Sequence, residues 1–178
     1  MDAYRRRLMN RLERVRESLL TSIEGLDERL ATGATVFGNW TVKDVIAHVI
    51  SWGDELRSEI HEILIDPAPR YSYVIPSDRD YDAWNQSTVA ANKALSLREM
   101  LAELERDCQE TADLIQRLAP GDLQRRGVVP WRIEELPPPE EVTPETSMSV
   151  AALLETHIRH IEEHADEITR WRIEGGST

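Results

Sequence analysis

The sequence has little cysteine and no long apolar run. It contains one cysteine among 178 residues, so no internal disulfide can form, and this composition is typical of a reducing compartment. No stretch approaches the roughly 20 apolar residues that a membrane-spanning helix needs. The N-terminal arginines are not followed by the apolar segment of a signal peptide. We therefore expect a cytoplasmic protein, with residues 1–178 forming one domain.

The sequence also has fewer basic than acidic residues. The chain has 21 basic and 33 acidic residues, which gives a formal net charge of −12 at pH 7. Because such a chain repels phosphate backbones, we expect no nucleic-acid partner, and without an apolar segment we expect no membrane partner. The run Arg5-Arg6-Arg7 is a local exception, which we interpret as the solvated face of a helix. The single cysteine, Cys108, falls in step with apolar positions and is predicted to be a small core residue.

Four stretches repeat apolar residues at the three-and-four spacing of an amphipathic helix. They cover residues 2–30, 41–66, 80–118 and 149–172. Gly25 lies inside the first stretch, where we expect a helix to tolerate it at a modest cost. The pattern over the third stretch is compatible with one bent helix and equally with two helices.

Two helix starts carry a capping signature. Thr41 and Ser96 are each followed three residues later by an acidic residue, Asp44 and Glu99. Asp44 lies one turn before His48 and could also steer its ring, but the capping role is the one we favour.

Two proline-rich segments separate the predicted helices. They cover residues 67–78 and 123–147, and the second carries five of the nine prolines and a cluster of glutamates. Connections of this length are usually lids, binding loops or disordered. No stretch shows the alternation of a strand. We therefore predict an all-α fold, a four-helix bundle with two proline-rich loop excursions.

The last predicted helix carries three of the five histidines. His157, His160 and His164 lie along one edge of its apolar face. His160 and His164 are four residues apart, so their rings are adjacent and can share one metal ion. This spacing alone is weak evidence, because histidines at a core boundary are more often packing residues. Glu163 and Glu167 flank the pair, and we expect both on a solvated face.

A third candidate ligand lies on another helix. His48 sits at the rim of the apolar face of the helix over residues 41–66, with Trp52 on the same side. Facing helices of a bundle build metal sites from such positions. The remaining histidine, His61, has no partner in the pattern and is predicted to lie on the surface.

These motifs resemble a known superfamily. The segment from Trp40 to Trp52, with its capped helix start and its histidine, is similar to the second helix of the DinB/YfiT-like proteins. The pair His160-x3-His164, followed by Trp171, is similar to their last helix. Trp84-Asn85 resembles the asparagine-containing helix of the ClbS/DfsB-type branch, some members of which confer self-resistance to a toxic metabolite.

The resemblance implies a DinB/YfiT-like four-helix bundle that holds a divalent metal, zinc or nickel, through His48, His160 and His164. His157 could replace His160 in this set. We favour the adjacent pair, because the seven residues from His157 to His164 span about 10 Å along a helix axis. His157 is then expected to pack beside the ligands, or to form a substrate pocket together with other side chains of the motif segments, namely Trp52, Trp84 and Asn85. Core packing is an equally good interpretation of the tryptophans.

Three imidazoles leave an open metal position, as in catalytic zinc sites. The implied function is an enzyme that attacks a small electrophilic molecule with metal-activated water, as a hydrolase, or with thiolate, as a thiol S-transferase. Its partners would be the substrate and a low-molecular-weight thiol, and its role detoxification or self-resistance. Two alternatives stay open: a non-catalytic bundle that sequesters a small molecule, and a structural, dimeric bundle without metal. A homodimer is expected from the narrow apolar stripe of the first helix and from the habit of the family.

Overall fold

The computed structural model describes residues 2–65, 81–128 and 147–176, and the predicted helical fold is confirmed. The proline-rich segment 67–78 and most of 123–147 lie outside the described residues. Six helices account for most of the described chain. In order they are α1 (Ala3–Ile23), α2 (Glu28–Gly33), α3 (Val42–Ile65), α4 (Tyr81–Asn92), α5 (Leu97–Arg117) and α6 (Val150–Trp171).

The prediction of one unbroken helix over residues 2–30 is wrong. Helix α1 ends at Ile23, and Gly25 adopts a positive φ of 77°, a left-handed conformation that glycine reaches without a Cβ penalty. Asp27 then accepts a hydrogen bond from the backbone N–H of Leu30 and caps the short helix α2. The glycine therefore ends the helix and redirects the chain, so it is not a tolerated interior residue.

The predicted helix starts are confirmed. The hydroxyl of Thr41 donates to Asp44 Oδ2 at 2.7 Å, and Asp44 N–H donates back to the Thr41 hydroxyl oxygen at 3.2 Å. Ser96 and Glu99 form a reciprocal capping box at the start of α5. The ambiguous stretch 80–118 holds two helices, α4 and α5.

The long helices α1, α3, α5 and α6 form the bundle. Helix α1 packs against α6 and α5, and α3 packs against the same two helices, so α5 and α6 each lie between α1 and α3. Helix α4 packs on α3. The apolar stripes predicted from the sequence face the core, which is continuous through all four long helices. Cys108 belongs to this core, as predicted, and burial raises the pKa of its thiol to about 12.

The described part of the structure contains two short strand pairs that the sequence did not predict. β1 (Thr35–Phe37) and β2 (Trp40–Thr41) form an antiparallel hairpin immediately before α3. β3 (Arg126–Gly127) and β4 (Met148–Ser149) pair antiparallel at the two ends of the second proline-rich segment. A short 3-10 turn, Asp122–Gln124, precedes β3, and a wide helical turn, Arg172–Gly176, follows α6.

Ser149 caps α6 by accepting a hydrogen bond from Ala152 N–H. Val128, which follows β3, is buried. Within the described residues, no helix is long and apolar enough to cross a membrane.

Candidate metal centre

Three histidine side chains from two helices meet at one point of the bundle. His48 Nε2 of α3 lies 2.9 Å from His160 Nε2 of α6, and His164 Nε2 lies 2.9 Å from the same atom. The three ligand atoms are all within 4.8 Å of one another. The structure thus brings together the three histidines that the resemblance implies as ligands.

The protein environment keeps two of these rings, those of His48 and His160, uncharged. Burial lowers the pKa of His48 to about 3, and the nearby His164 adds to this effect. Burial likewise lowers the pKa of His160 to about 2, with further contributions from His164 and His48. A neutral imidazole has a lone pair to offer a cation, so burial holds both residues in the form that binds metals.

One outer contact of the cluster was missed in the sequence. Glu167 Oε2 lies 2.6 Å from His164 Nδ1, and the glutamate side chain is only 32% exposed. The expectation that Glu167 lies on a solvated face is therefore wrong. Glu163 is exposed as predicted and lies 3.7 Å from Arg159. The spacing of three residues between His164 and Glu167 was the available signal, because residues three apart are neighbours on a helix.

Aromatic side chains of the β1–β2 hairpin cover one side of the cluster. The ring of Phe37 stacks on His164 with a centroid distance of 6.1 Å. The indole of Trp40 meets His48 edge-on at 4.8 Å. The hairpin thus covers the His164 and His48 rings with Phe37 and Trp40.

A cavity of about 380 Å³ opens on the other side, where His48 and His160 are part of its wall. Its remaining lining includes both apolar and polar side chains: Trp52, Leu56, Glu59, Asn85, Leu153, Thr156, His157, Arg159 and Glu163.

Of the four residues proposed for a substrate pocket, Trp52, Asn85 and His157 line this cavity, and Trp84 does not. Trp52 Nε1 donates a hydrogen bond to Asn85 Oδ1 at 3.1 Å, which ties α3 to α4. Trp84 packs against the Trp52 ring at a centroid distance of 4.8 Å. His157 is 5% exposed, and burial lowers the pKa of its imidazole to about 4.

The other residues singled out in the sequence lie away from the histidine cluster. Trp171 is buried in the hydrophobic core. His61 is exposed on α3, as predicted. Asp44 is engaged with Thr41 at the start of α3, in agreement with its predicted capping role. In the Arg5–Arg7 run, Arg5 departs from the predicted solvated face, because it bonds Asp2 and the carbonyl of Leu118.

The chemistry of this donor set fits a divalent metal. His160 Nε2 faces two other Nε2 atoms at 2.9 Å, and a single ring proton can satisfy only one of these contacts. A cation among the three atoms would use all three lone pairs. Imidazole nitrogen suits zinc and nickel, among other transition metals.

Comparison with known families agrees with this architecture. Residues 11–168 match the family model of the DinB superfamily. The chain belongs to the DinB superfamily. The match runs from the middle of α1 to near the end of α6 and so includes the three histidines, and the superfamily predicted from the sequence is confirmed. DinB proteins often bind metals, which agrees with the histidine cluster.

Solved structures of low sequence identity share the DinB fold. The structure named "Sibling Lethal Factor Precursor - DfsB" is 18% identical, covers 98% of both chains and superposes with a TM-score of 0.71. An uncharacterized protein from Clostridium difficile 630 is 13% identical over 97% of this chain and 98% of its own, with a TM-score of 0.74. A protein from Streptococcus pneumoniae is 16% identical, covering 97% of this chain and 92% of its own, with a TM-score of 0.71. No curated protein matches the sequence.

Proposed function

We propose that this protein is a metal-dependent enzyme that acts on a small electrophilic molecule. One observation carries the proposal: His48, His160 and His164 converge through their Nε2 atoms at the wall of a cavity of about 380 Å³. Three protein ligands beside an open position are typical of catalytic zinc sites, whereas structural sites are closed by four. A divalent metal held there would supply a Lewis acid that activates a water or a thiol near neutral pH.

A substrate can approach the histidine cluster from the side of the cavity. Phe37 and Trp40 cover His164 and His48 on the hairpin side. His48 and His160 face the cavity on the other side, between α3, α4 and α6. A molecule in the cavity would therefore lie beside His48 and His160, two of the three residues that would hold the metal.

The cavity residues can bind and orient a small molecule. Trp52, Leu56 and Leu153 contribute apolar surface. Because an indole N–H can only donate, the contact with Trp52 fixes Oδ1 as the acceptor atom of Asn85. The side chain of Asn85 also interacts with His48, so its amide nitrogen would donate to a substrate oxygen close to this candidate ligand. This combination suits a largely apolar molecule that carries an oxygen acceptor near its reactive atom.

The biological role that we infer is detoxification or self-resistance. One protein of similar fold is named as a sibling lethal factor precursor, DfsB. The sequence resemblance of Trp84-Asn85 to the ClbS/DfsB-type branch points in the same direction. A low-molecular-weight thiol would serve as the second substrate if the reaction is a thiol transfer.

Metal content tests the ligand set. We expect protein purified without a histidine tag and incubated with zinc to retain one equivalent after desalting. His48→Ala and His160→Ala should each lose most of it, because two imidazoles hold zinc far less tightly than three. His61→Ala removes an exposed histidine from the same helix as His48 and should retain full zinc, as measured by atomic emission. Stoichiometric zinc in both ligand variants would mean that these histidines do not hold the metal.

Turnover tests the enzymatic part of the proposal. A panel of small electrophiles would be incubated with zinc- or nickel-loaded protein, with and without a small-molecule thiol. Loss of many equivalents per protein, abolished in His160→Ala, is the expected result, and its dependence on thiol distinguishes transfer from hydrolysis. Loss of a single equivalent, without further turnover, would indicate capture of the compound instead of catalysis.

A further inference from the structure

Glu167 is the acidic side chain in direct contact with the histidine cluster. It lies on α6, three residues after His164, and its Oε2 atom is 2.6 Å from His164 Nδ1. The two side chains are 10% and 32% exposed for His164 and Glu167. The contact is thus short and partly shielded from water, which strengthens a hydrogen bond to a carboxylate.

This contact determines which nitrogen of His164 carries the proton. An ionised carboxylate can only accept a hydrogen bond, so Nδ1 of His164 must be the donor. In a neutral imidazole, Nε2 then has the free lone pair. Nε2 is also the atom that faces His160 Nε2 at 2.9 Å, at the centre of the cluster.

We propose that Glu167 is a positioning residue that holds His164 in the orientation and tautomer required to bind the metal. The inference rests on the proposed metal function and adds an outer residue to it. Carboxylates in this position fix the ring of a histidine ligand and make its other nitrogen more basic.

His164 and His48 differ in the contact that their Nδ1 atoms make. Nδ1 of His48 is buried and has no hydrogen-bond partner among the residues that the structure describes. His48 is held by its packing between Trp40 and Trp52. Glu167 therefore gives His164 a carboxylate contact at Nδ1, whereas within the described chain Nδ1 of His48 has none and the polar neighbour of His48 is the neutral side chain of Asn85.

Helix α6 offers a matched control five residues away. Glu162 has the same charge and lies on the same helix, but it is exposed and is not part of the cavity lining. Glu167→Ala and Glu162→Ala make the same chemical change and remove the same charge. Glu167→Gln keeps the shape of the side chain and one neutral acceptor, so it should restore part of the effect.

The test combines metal affinity with the protonation of the imidazole ring. Zinc dissociation constants would be measured by competition with a chelator at one pH and salt concentration. We expect Glu167→Ala to weaken zinc binding by about 10- to 100-fold, the range known for outer-shell substitutions. Glu162→Ala should stay within about twofold of the wild type, and Glu167→Gln should fall between the two.

Nitrogen NMR of the histidine side chains in the metal-free protein provides the second measurement. We expect His164 to carry its proton on Nδ1 in the wild type and in Glu162→Ala. In Glu167→Ala this preference should be lost, in a protein that remains folded by circular dichroism.

Equal zinc affinity in Glu167→Ala and Glu162→Ala, with an unchanged His164 tautomer, would overturn the positioning role. A wild-type protein that binds no zinc would overturn the proposed metal function. In that case the tautomer of metal-free His164 still decides whether Glu167 controls the ring.

Discussion

Gly53 lets α3 approach the Asp107 side chain of α5 closely. A Cβ atom at this position would overlap the carboxylate of Asp107. Asp107 is 2% exposed and accepts a hydrogen bond from Arg57 Nη1 at 2.6 Å. Burial outweighs this pairing and raises the pKa of Asp107 to about 6. The glycine therefore provides the space in which a buried carboxylate is held between two helices.

We expect Gly53→Ala to destabilise the protein by about 1–3 kcal/mol, as overpacking of a full core does. Either the Asp107 carboxylate or one of the two helices must move to make room for the added methyl group. Urea unfolding of metal-free protein at pH 7 would measure the loss. Gly33→Ala is the control, because a Cβ at Gly33 meets nothing within 4 Å. Equal stability of the two variants would mean that Asp107 moves aside without cost.

Helix ends are the features of individual elements that the sequence predicted best. A cap needs only a few residues of local chain, so Thr41 with Asp44 and Ser96 with Glu99 could be identified without tertiary information. The end of α1 was missed because the apolar stripe continues through Leu26 and Leu30 beyond the turn at Gly25. The strands β1 to β4 have two or three residues each, too few to produce an alternating pattern.

Removing the cap of α5 should lower the free energy of unfolding by a measurable amount. Ser96 accepts the N–H of Glu99, and Glu99 accepts the N–H of Ser96 in return. We expect Ser96→Ala to lower the free energy of unfolding by about 1 kcal/mol. Ser58→Ala, on the exposed face within α3, should change it by less than about 0.5 kcal/mol in the same urea titration. A cost at Ser58 as large as that at Ser96 would contradict a specific capping effect.

The histidine cluster is a property of the whole molecule, because His48 and His160 are 112 residues apart in the chain. The sequence placed each histidine at the rim of an apolar face, and the family resemblance joined them into one set. Periodicity on single helices could not have shown that the rings meet, because it gives no information on how α3 and α6 are aligned against each other. The same limit explains why Glu167 was expected in solvent, and why the covering role of Phe37 was not predicted.

Buried neutral histidines should also make the metal-free protein sensitive to acid. Burial lowers the pKa values of His48, His157 and His160 to about 3, 4 and 2, below the value of about 6.5 in the unfolded chain. Between these values the unfolded state binds more protons, so stability falls as the pH decreases below about 6.5. Asp107 acts in the opposite direction, because its pKa is raised by burial and the folded state takes up its proton first.

With three histidines opposed by one carboxylate, we expect a loss of at most about 3 kcal/mol per pH unit between pH 6.5 and 5. Urea unfolding of chelator-treated protein across this range would measure it. The exposed His61 provides a control, since His61→Gln should leave the pH profile unchanged. A stability that stays constant from pH 7 to 5 would contradict the buried, uncharged state of the three histidines.

The pairing of β3 with β4 has a consequence for how the length of the chain between these two strands can vary among relatives. Gly127 pairs with Met148, and Val150 N–H donates to the carbonyl of Arg125 at 3.0 Å, so the chain enters and leaves the segment between them at one place. The entropy needed to close a loop rises only slowly with its length. Insertions and deletions between these anchors should therefore accumulate among relatives without disturbing α6 or the histidines that it carries. The fold thus provides a position where the chain can change in length while α6 and its three histidines are retained.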